Sequence, residues 1–190
     1  MLLHGHGGNE RSMDALADKV PGDWKIVSLR APTEISPGRF KWYTVDRSSR
    51  PLQINLAEEA SCRQAILNTV NLFCKDPSTD LQRVVLAGFS QGAIMALCCG
   101  LTSPRQVTAC AVFSGRFLQE IRPYVHPAAN NLRVLLAHGQ ADPILPVRYA
   151  QENRAALQEL GITADYVEDD SGHTLSSLQQ AYFIQWLSHL

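Results

Sequence analysis

The stretch Arg83-Val84-Val85-Leu86-Ala87-Gly88-Phe89-Ser90-Gln91-Gly92-Ala93-Ile94-Met95-Ala96-Leu97 decides how this chain folds. Its first part is a short apolar run without polar alternation. That pattern predicts a strand over Arg83 to Gly88, buried on both faces as in a parallel sheet. Gln91 to Leu101 reads as a helix, stopped by Ser103-Pro104. Only a sharp turn fits between the two elements. A serine in that turn sits at a helix N-terminus, where backbone amides favour developing negative charge. The glycines at 88 and 92 let neighbouring backbone pass closely. Strand, Gly88-x-Ser90-x-Gly92 and helix together mark Ser90 as a candidate nucleophile. A glycine-rich turn with an incidental serine is the plainer alternative.

Outward from this unit the same alternation continues. Ile26-Val27-Ser28-Leu29 is a short strand candidate closed by Ala31-Pro32. Leu56 to Cys74 has helical spacing of its apolar residues, with Asn55 as a cap and Asp76-Pro77 as a stop. Val107 to Phe113 and Arg133 to His138 are two more buried strands. Val147 to Leu160 is a helix with Gly161 placed to terminate it. Thr163 to Val167 is a short strand, and Thr174 to Leu190 is the last helix. Strands alternating with helices predict an α/β fold with a mostly parallel central sheet flanked by helices. Residues 1–190 are expected to form one domain. The first strand, ending at Leu3, has only about three residues, against about five for an ordinary strand. The sheet is therefore expected to be shortened at its N-terminus.

Bulk properties narrow the function classes. The 190 residues are 45% hydrophobic and 18% charged, a globular rather than disordered balance. Net charge is −1, which gives no basic footprint for nucleic acid. No apolar run approaches the roughly 20 residues of a membrane span, and Met1-Leu2-Leu3-His4-Gly5 lacks the pattern of a signal peptide. The five cysteines have neither a metal-type spacing nor an even count for a disulfide framework. A reducing cytoplasm is the simplest setting.

A serine hydroxyl needs a histidine base, and that histidine needs a carboxylate to orient it. Both are sought in loops at the carboxyl ends of later strands. Asp142 lies in His138-Gly139-Gln140-Ala141-Asp142-Pro143, just past the strand ending at Ala137. A plain turn aspartate before proline is the alternative. His173 lies in Ser171-Gly172-His173-Thr174, between the last strand and the last helix. Its alternative is a surface histidine in a capping loop. Among the other histidines, His189 is penultimate, His126 sits beside Pro127 and His138 is assigned a structural role. Asp169 and Asp170 lie too near His173 in sequence to be preferred as its acid.

Acyl transfer also needs two preorganised donors for an oxyanion. One is expected from the Gln91 amide, directly after Ser90. The second is expected from His4-Gly5-His6-Gly7-Gly8-Asn9, through the amide of His6. The His-x-His pair invites a metal reading, but no third ligand cluster accompanies it, so neither metal nor cofactor is expected.

His4-Gly5-His6-Gly7-Gly8, Gly88-Phe89-Ser90-Gln91-Gly92-Ala93 and the Asp142 and His173 loops together resemble the phospholipase/carboxylesterase family. The resemblance covers nearly the whole chain in the same order. It implies an α/β-hydrolase fold, a triad of Ser90, Asp142 and His173, and an oxyanion hole at the His6 and Gln91 amides. Gly38-Arg39-Phe40-Lys41-Trp42-Tyr43 is similar to the family's segment near the acyl pocket, which makes Trp42 a substrate-binding candidate. An aromatic plug over the core is the alternative for that segment. Three departures stand out. Family members usually carry an apolar residue where His6 stands, so a histidine would narrow or polarise the acyl pocket. The Gly8-Asn9 loop differs, and many relatives have more chain before His4-Gly5. A missing first hairpin would leave an exposed sheet edge that a second copy could cover as a homodimer.

These features lead to a serine carboxylesterase acting on small carboxylic esters, with short acyl chains favoured. A second reading keeps the chemistry but takes a long-chain acyl thioester or lysophospholipid. A third is a non-catalytic binding protein on the same scaffold, which would predict a damaged triad.

Overall fold

The computed structural model describes residues 1–46, 48, 53–77, 80 and 83–190. Six parallel strands form its sheet: β1 (Leu2–Leu3), β2 (Ser28–Leu29), β7 (Val85–Phe89), β8 (Ala109–Phe113), β9 (Arg133–Gly139) and β10 (Ala164–Asp169). Their spatial order is β10-β9-β8-β7-β1-β2. The chain steps from β1 outward to β2, returns to the other side of β1 as β7, and then builds away through β8, β9 and β10. The reversal between β1 and β7 is a topological switch point, where the loops leaving two adjacent strands diverge and open a crevice.

The apolar runs become strands because both of their faces are covered. Cys110 and Val112 of β8 join a core with α2 (Leu56–Phe73), α3 (Gln91–Thr102) and α4 (Arg148–Glu159). Ala109, Ala111 and Phe113 face the other way, onto Leu16 of α1 (Asp14–Ala17) and Phe183, Trp186 and Leu187 of α5 (Ser177–Leu187). Helix α3 is buried nearly all round, as its uniform apolarity requires. Asn55 caps α2 by accepting from the Glu58 amide at 3.1 Å, and Gly161 takes φ 73° just beyond α4. No helix among the described residues is long and apolar enough to cross a membrane.

Several boundaries differ from the sequence reading. β10 runs two residues further, through Glu168 and Asp169, because ladder pairing to His138 and Gly139 continues past the apolar part. α5 starts three residues later, at Ser177, because Ser176 caps it by accepting from the Gln179 amide. Two antiparallel strand pairs lie outside the main sheet: β3 (Thr33–Ser36) with β4 (Arg39–Lys41), and β5 (Val45–Asp46) with β6 (Gln53–Ile54). The short first strand is an interior one. Leu2 pairs with Ser28 on one side and Ala87 on the other, which leaves β2 at the edge.

Candidate active site

Ser90 turns the chain from β7 into α3 with φ 53° and ψ −116°. Only Ser90 and Ser114 among the described non-glycine residues have positive φ. Such a conformation costs of order 1–3 kcal/mol and persists only when its surroundings enforce it. The two glycines of the motif show how. A Cβ at Gly88 would lie 2.3 Å from the Gly92 carbonyl carbon, and one at Gly92 would lie 2.1 Å from the Leu3 carbonyl oxygen. Strand β7, the start of α3 and the end of β1 are thus pressed together without side chains. The Ser90 amide donates to the Phe113 carbonyl at 2.8 Å, which fixes the turn against β8.

The loops after β9 and β10 bring Asp142 and His173 to this turn. The Ser90 hydroxyl donates to His173 Nε2 at 2.9 Å. His173 Nδ1–H donates to Asp142 Oδ2 at 2.7 Å. The other oxygen of Asp142 accepts from the Ile144 and Leu145 amides at 2.8 Å each. Those three bonds hold the imidazole with its basic nitrogen toward the serine. The Asp142 side chain is fully buried, while that of His173 is 17% exposed, so the imidazole keeps access to solvent. Phe89 packs on the imidazole with ring centroids 4.9 Å apart.

Burial opposes ionisation of Asp142. The His173 hydrogen bond and the Leu145 and Ile144 amides outweigh it and hold the carboxyl below its ordinary pKa. A group whose folded-state pKa is depressed adds stability above its unfolded value, about 4 for aspartate. That stability is lost as pH falls through the lower folded value. The melting temperature is therefore expected to fall on acidification below about pH 4, and the fall to be shallower in Asp142→Asn. Thermal melts of both proteins across that range check this, and equal slopes would contradict it.

His138, assigned only a structural role from sequence, lies beside the acid. Its Nε2–H donates to the Leu145 carbonyl at 2.7 Å and is 3.4 Å from Asp142 Oδ2. It closes the 139–145 loop around the carboxylate. A histidine at the end of a buried apolar strand was the available signal.

The loop after β1 reaches the same turn from the other side of the switch point. A Cβ at Gly5 would lie 3.3 Å from Ser90 Cβ. The Gly7 amide donates to the Phe40 carbonyl at 2.7 Å, and the Phe40 amide donates to the Gly8 carbonyl at 2.9 Å. The hairpin β3–β4 thus braces the loop. His4 is buried. Its Nε2 accepts from the Ala31 amide at 3.0 Å, which leaves Nδ1–H to donate to the Gly5 carbonyl at 2.7 Å. Burial pushes its pKa down, consistent with a neutral ring. His6 carries an exposed side chain, and its amide lies between Gly5 and the braced Gly7. Gln91 places its amide at the first residue of α3, where no intrahelical acceptor is available.

Trp42 lies behind this loop. It is 3% exposed, and its indole N–H donates to the His4 carbonyl at 2.8 Å. The Gln91 side chain, missed by the sequence reading, ties the same segment to α3. Its Oε1 accepts from the Trp42 amide at 2.9 Å and its Nε2 donates to the Tyr43 carbonyl at 2.7 Å. A cavity lined by Met1, Trp24, Val70, Arg83 and Phe183 opens at the amino ends of β1 and β7, the opposite end from Ser90.

Comparison with known proteins agrees with this architecture. The phospholipase/carboxylesterase family profile matches residues 1–186. A rice protein named a probable inactive carboxylesterase is 26% identical over 202 residues, covering 99% of this chain and 82% of its own. Esterase YpfH of Escherichia coli is 25% identical over 198 residues, covering 100% and 81%. The crystal structure of Arabidopsis thaliana SOBER1 superposes with a TM-score of 0.82 at 19% identity, covering 99% of this chain and 96% of that one, and supports the fold. With a profile match over almost its full length and a parallel sheet carrying Ser90, Asp142 and His173 at one edge, the chain belongs to the phospholipase/carboxylesterase family of α/β-hydrolases.

Proposed function

We propose that this protein is a serine carboxylesterase that hydrolyses small carboxylic esters through an acyl-enzyme on Ser90. The observation that carries the proposal is the unbroken hydrogen-bonded chain from Ser90 through His173 to Asp142. One relative is named a probable inactive carboxylesterase; in this chain all three groups are present and in contact.

In the first step His173 Nε2 takes the Ser90 proton as Oγ bonds to the ester carbonyl carbon. The carbonyl electron pair moves onto oxygen, and the His6 and Gln91 amides are assigned to receive that oxyanion. Each such donor is worth roughly 10²–10³ in rate. The intermediate collapses, the ester C–O bond breaks, and His173 returns its proton to the leaving alcohol. Water then repeats the cycle against the acyl-enzyme, releasing the acid and restoring Ser90. Asp142 fixes the tautomer and stabilises the imidazolium.

Short acyl chains are favoured because the exposed His6 follows Gly5 in the loop that touches Ser90, where a polar side chain would narrow or polarise the acyl pocket. Trp42 is assigned to shape this site from behind, through the His4 carbonyl. The enzyme is placed in a reducing cytoplasm, in keeping with five cysteines that form no disulfide. Small-molecule esters are its substrates and no cofactor takes part. Residues 1–190 act as one domain, and the short edge strand β2 is where a second copy would pair. A p-nitrophenyl ester series from acetate to palmitate tests the chain length. The ratio kcat/KM is expected to peak at four carbons or fewer. A maximum at long chains would replace this reading with a lysophospholipase or acyl-protein thioesterase.

A further inference from the structure

Asp169 is the last residue of β10 and lies close to His173 in sequence. It does not touch the imidazole, whose Nδ1 is taken by Asp142. Its carboxylate instead gathers the loop that carries His173. Oδ1 accepts from the Ser171 amide at 3.1 Å, from the Ser171 hydroxyl and from Gln179 Nε2 at 3.1 Å. Oδ2 accepts from the Ser176 hydroxyl. Ser176 in turn caps α5. One carboxylate therefore ties together both ends of the loop and the helix that follows it.

The same residue also holds the acid-bearing loop. The Asp169 carbonyl accepts from the Gln140 amide at 2.7 Å, and the Ser171 carbonyl accepts from the Ala141 amide at 3.0 Å. The two loops touch so closely that a Cβ at Gly139 would lie 2.2 Å from the Ser171 carbonyl oxygen. The His173 loop and the Asp142 loop are thus registered through one point. The Ser171 amide and the Gln179 NH₂ can only donate, so the group at their centre must accept on the oxygen they share. Burial of Asp169 opposes ionisation, but the Ser171, Ser176 and Gln179 donors outweigh it and hold the carboxyl below its ordinary pKa.

We propose that Asp169 is a positioning residue of the esterase reaction, whose carboxylate keeps His173 in register with Asp142 and Ser90. The proposal rests on the reading of those three residues as the triad. An error of about 1 Å in the placement of a reacting group can cost roughly 10² in rate. Asp169 acts through the placement of His173 for proton transfer, so the loss should appear in kcat.

The test compares wild type with Asp169→Ala, which removes both accepting oxygens where asparagine would keep the shared one, by three readouts. These are kcat and KM for p-nitrophenyl acetate, the melting temperature, and the downfield proton signal of the His173–Asp142 hydrogen bond, assigned by its loss in His173→Gln. Asp169→Ala is expected to lower kcat by about 10- to 100-fold and leave KM within about twofold. It should also shift or broaden the downfield signal in protein that still melts well above the assay temperature. An unchanged kcat overturns the proposal, and so does a lower kcat with an unmoved His173 signal. If Asp169→Ala does not fold, Ser171→Ala decides. It removes one hydroxyl donor and is expected to move the signal and lower kcat severalfold, whereas no change in either overturns the idea. Failure of the triad reading would show separately, as equal rates in wild type and Ser90→Ala. The His173 signal reports on Asp169 regardless of any activity.

Discussion

Ser90→Ala is expected to lower kcat for p-nitrophenyl acetate by about 10⁴- to 10⁶-fold, the loss typical of removing a triad nucleophile. The fold should be nearly unaffected. Ser90 donates to His173, and alanine removes that one bond without adding volume. Alanine also tolerates the positive φ about as poorly as serine, so the strain of the turn is unchanged. Some rate above the uncatalysed reaction should survive, because oxyanion donors and binding remain. Steady-state kinetics with a melting curve on the same sample check both halves. A variant that keeps even a tenth of the wild-type rate would remove Ser90 from the mechanism.

The largest loss of stability is expected at Gly92. Gly92→Ala would place its Cβ 2.1 Å from the Leu3 carbonyl oxygen and 2.5 Å from the His4 carbonyl oxygen. Both are backbone atoms, and Leu3 belongs to a strand paired on both sides, so neither can swing away as a side chain would. The helix must move off the sheet instead. A cost of about 3 kcal/mol is expected, equivalent to roughly 10 °C in melting temperature for a domain of this size. Activity should fall further than folding alone explains, because the displaced groups are the Gln91 amide and the Ser90 turn. A melting temperature within about 2 °C of wild type, a shift worth no more than about 1 kcal/mol, would contradict this account of why glycine stands there.

The triad candidates were legible because each follows a strand and precedes a helix. Ser90 and Asp142 follow the buried apolar strands β7 and β9, which an unbroken apolar run marks, whereas His173 follows the partly exposed edge strand β10 and was found by its place before the last helix. The pairs β3–β4 and β5–β6 were not legible. Their strands are two to four residues long, so Ile35 between Glu34 and Ser36, or Phe40 between Arg39 and Lys41, is too short an alternation to mark a strand, and they pair outside the main sheet. β10 extends past its apolar residues for a related reason. Glu168 and Asp169 look like loop residues, yet their backbone completes the ladder while the Asp169 side chain binds the next loop. Trp42 shows the limit of motif reading. Its sequence position placed it near the acyl pocket. That its indole turns inward to the His4 carbonyl depends on the fold of a distant strand.

The interior position of β1 has a consequence for how activity arises as the chain folds. β1 pairs with β7, and nearly the whole first half of the chain lies between them. Closing so long a loop is slow relative to forming helices or the adjacent β7, β8 and β9 pairs. The loop carrying His6 and the crevice beside Ser90 do not exist until that closure is made. On the proposed mechanism esterase competence would be tied to the docking of a two-residue strand, and turnover would report the arrival of residues 2 and 3 at their place in the sheet.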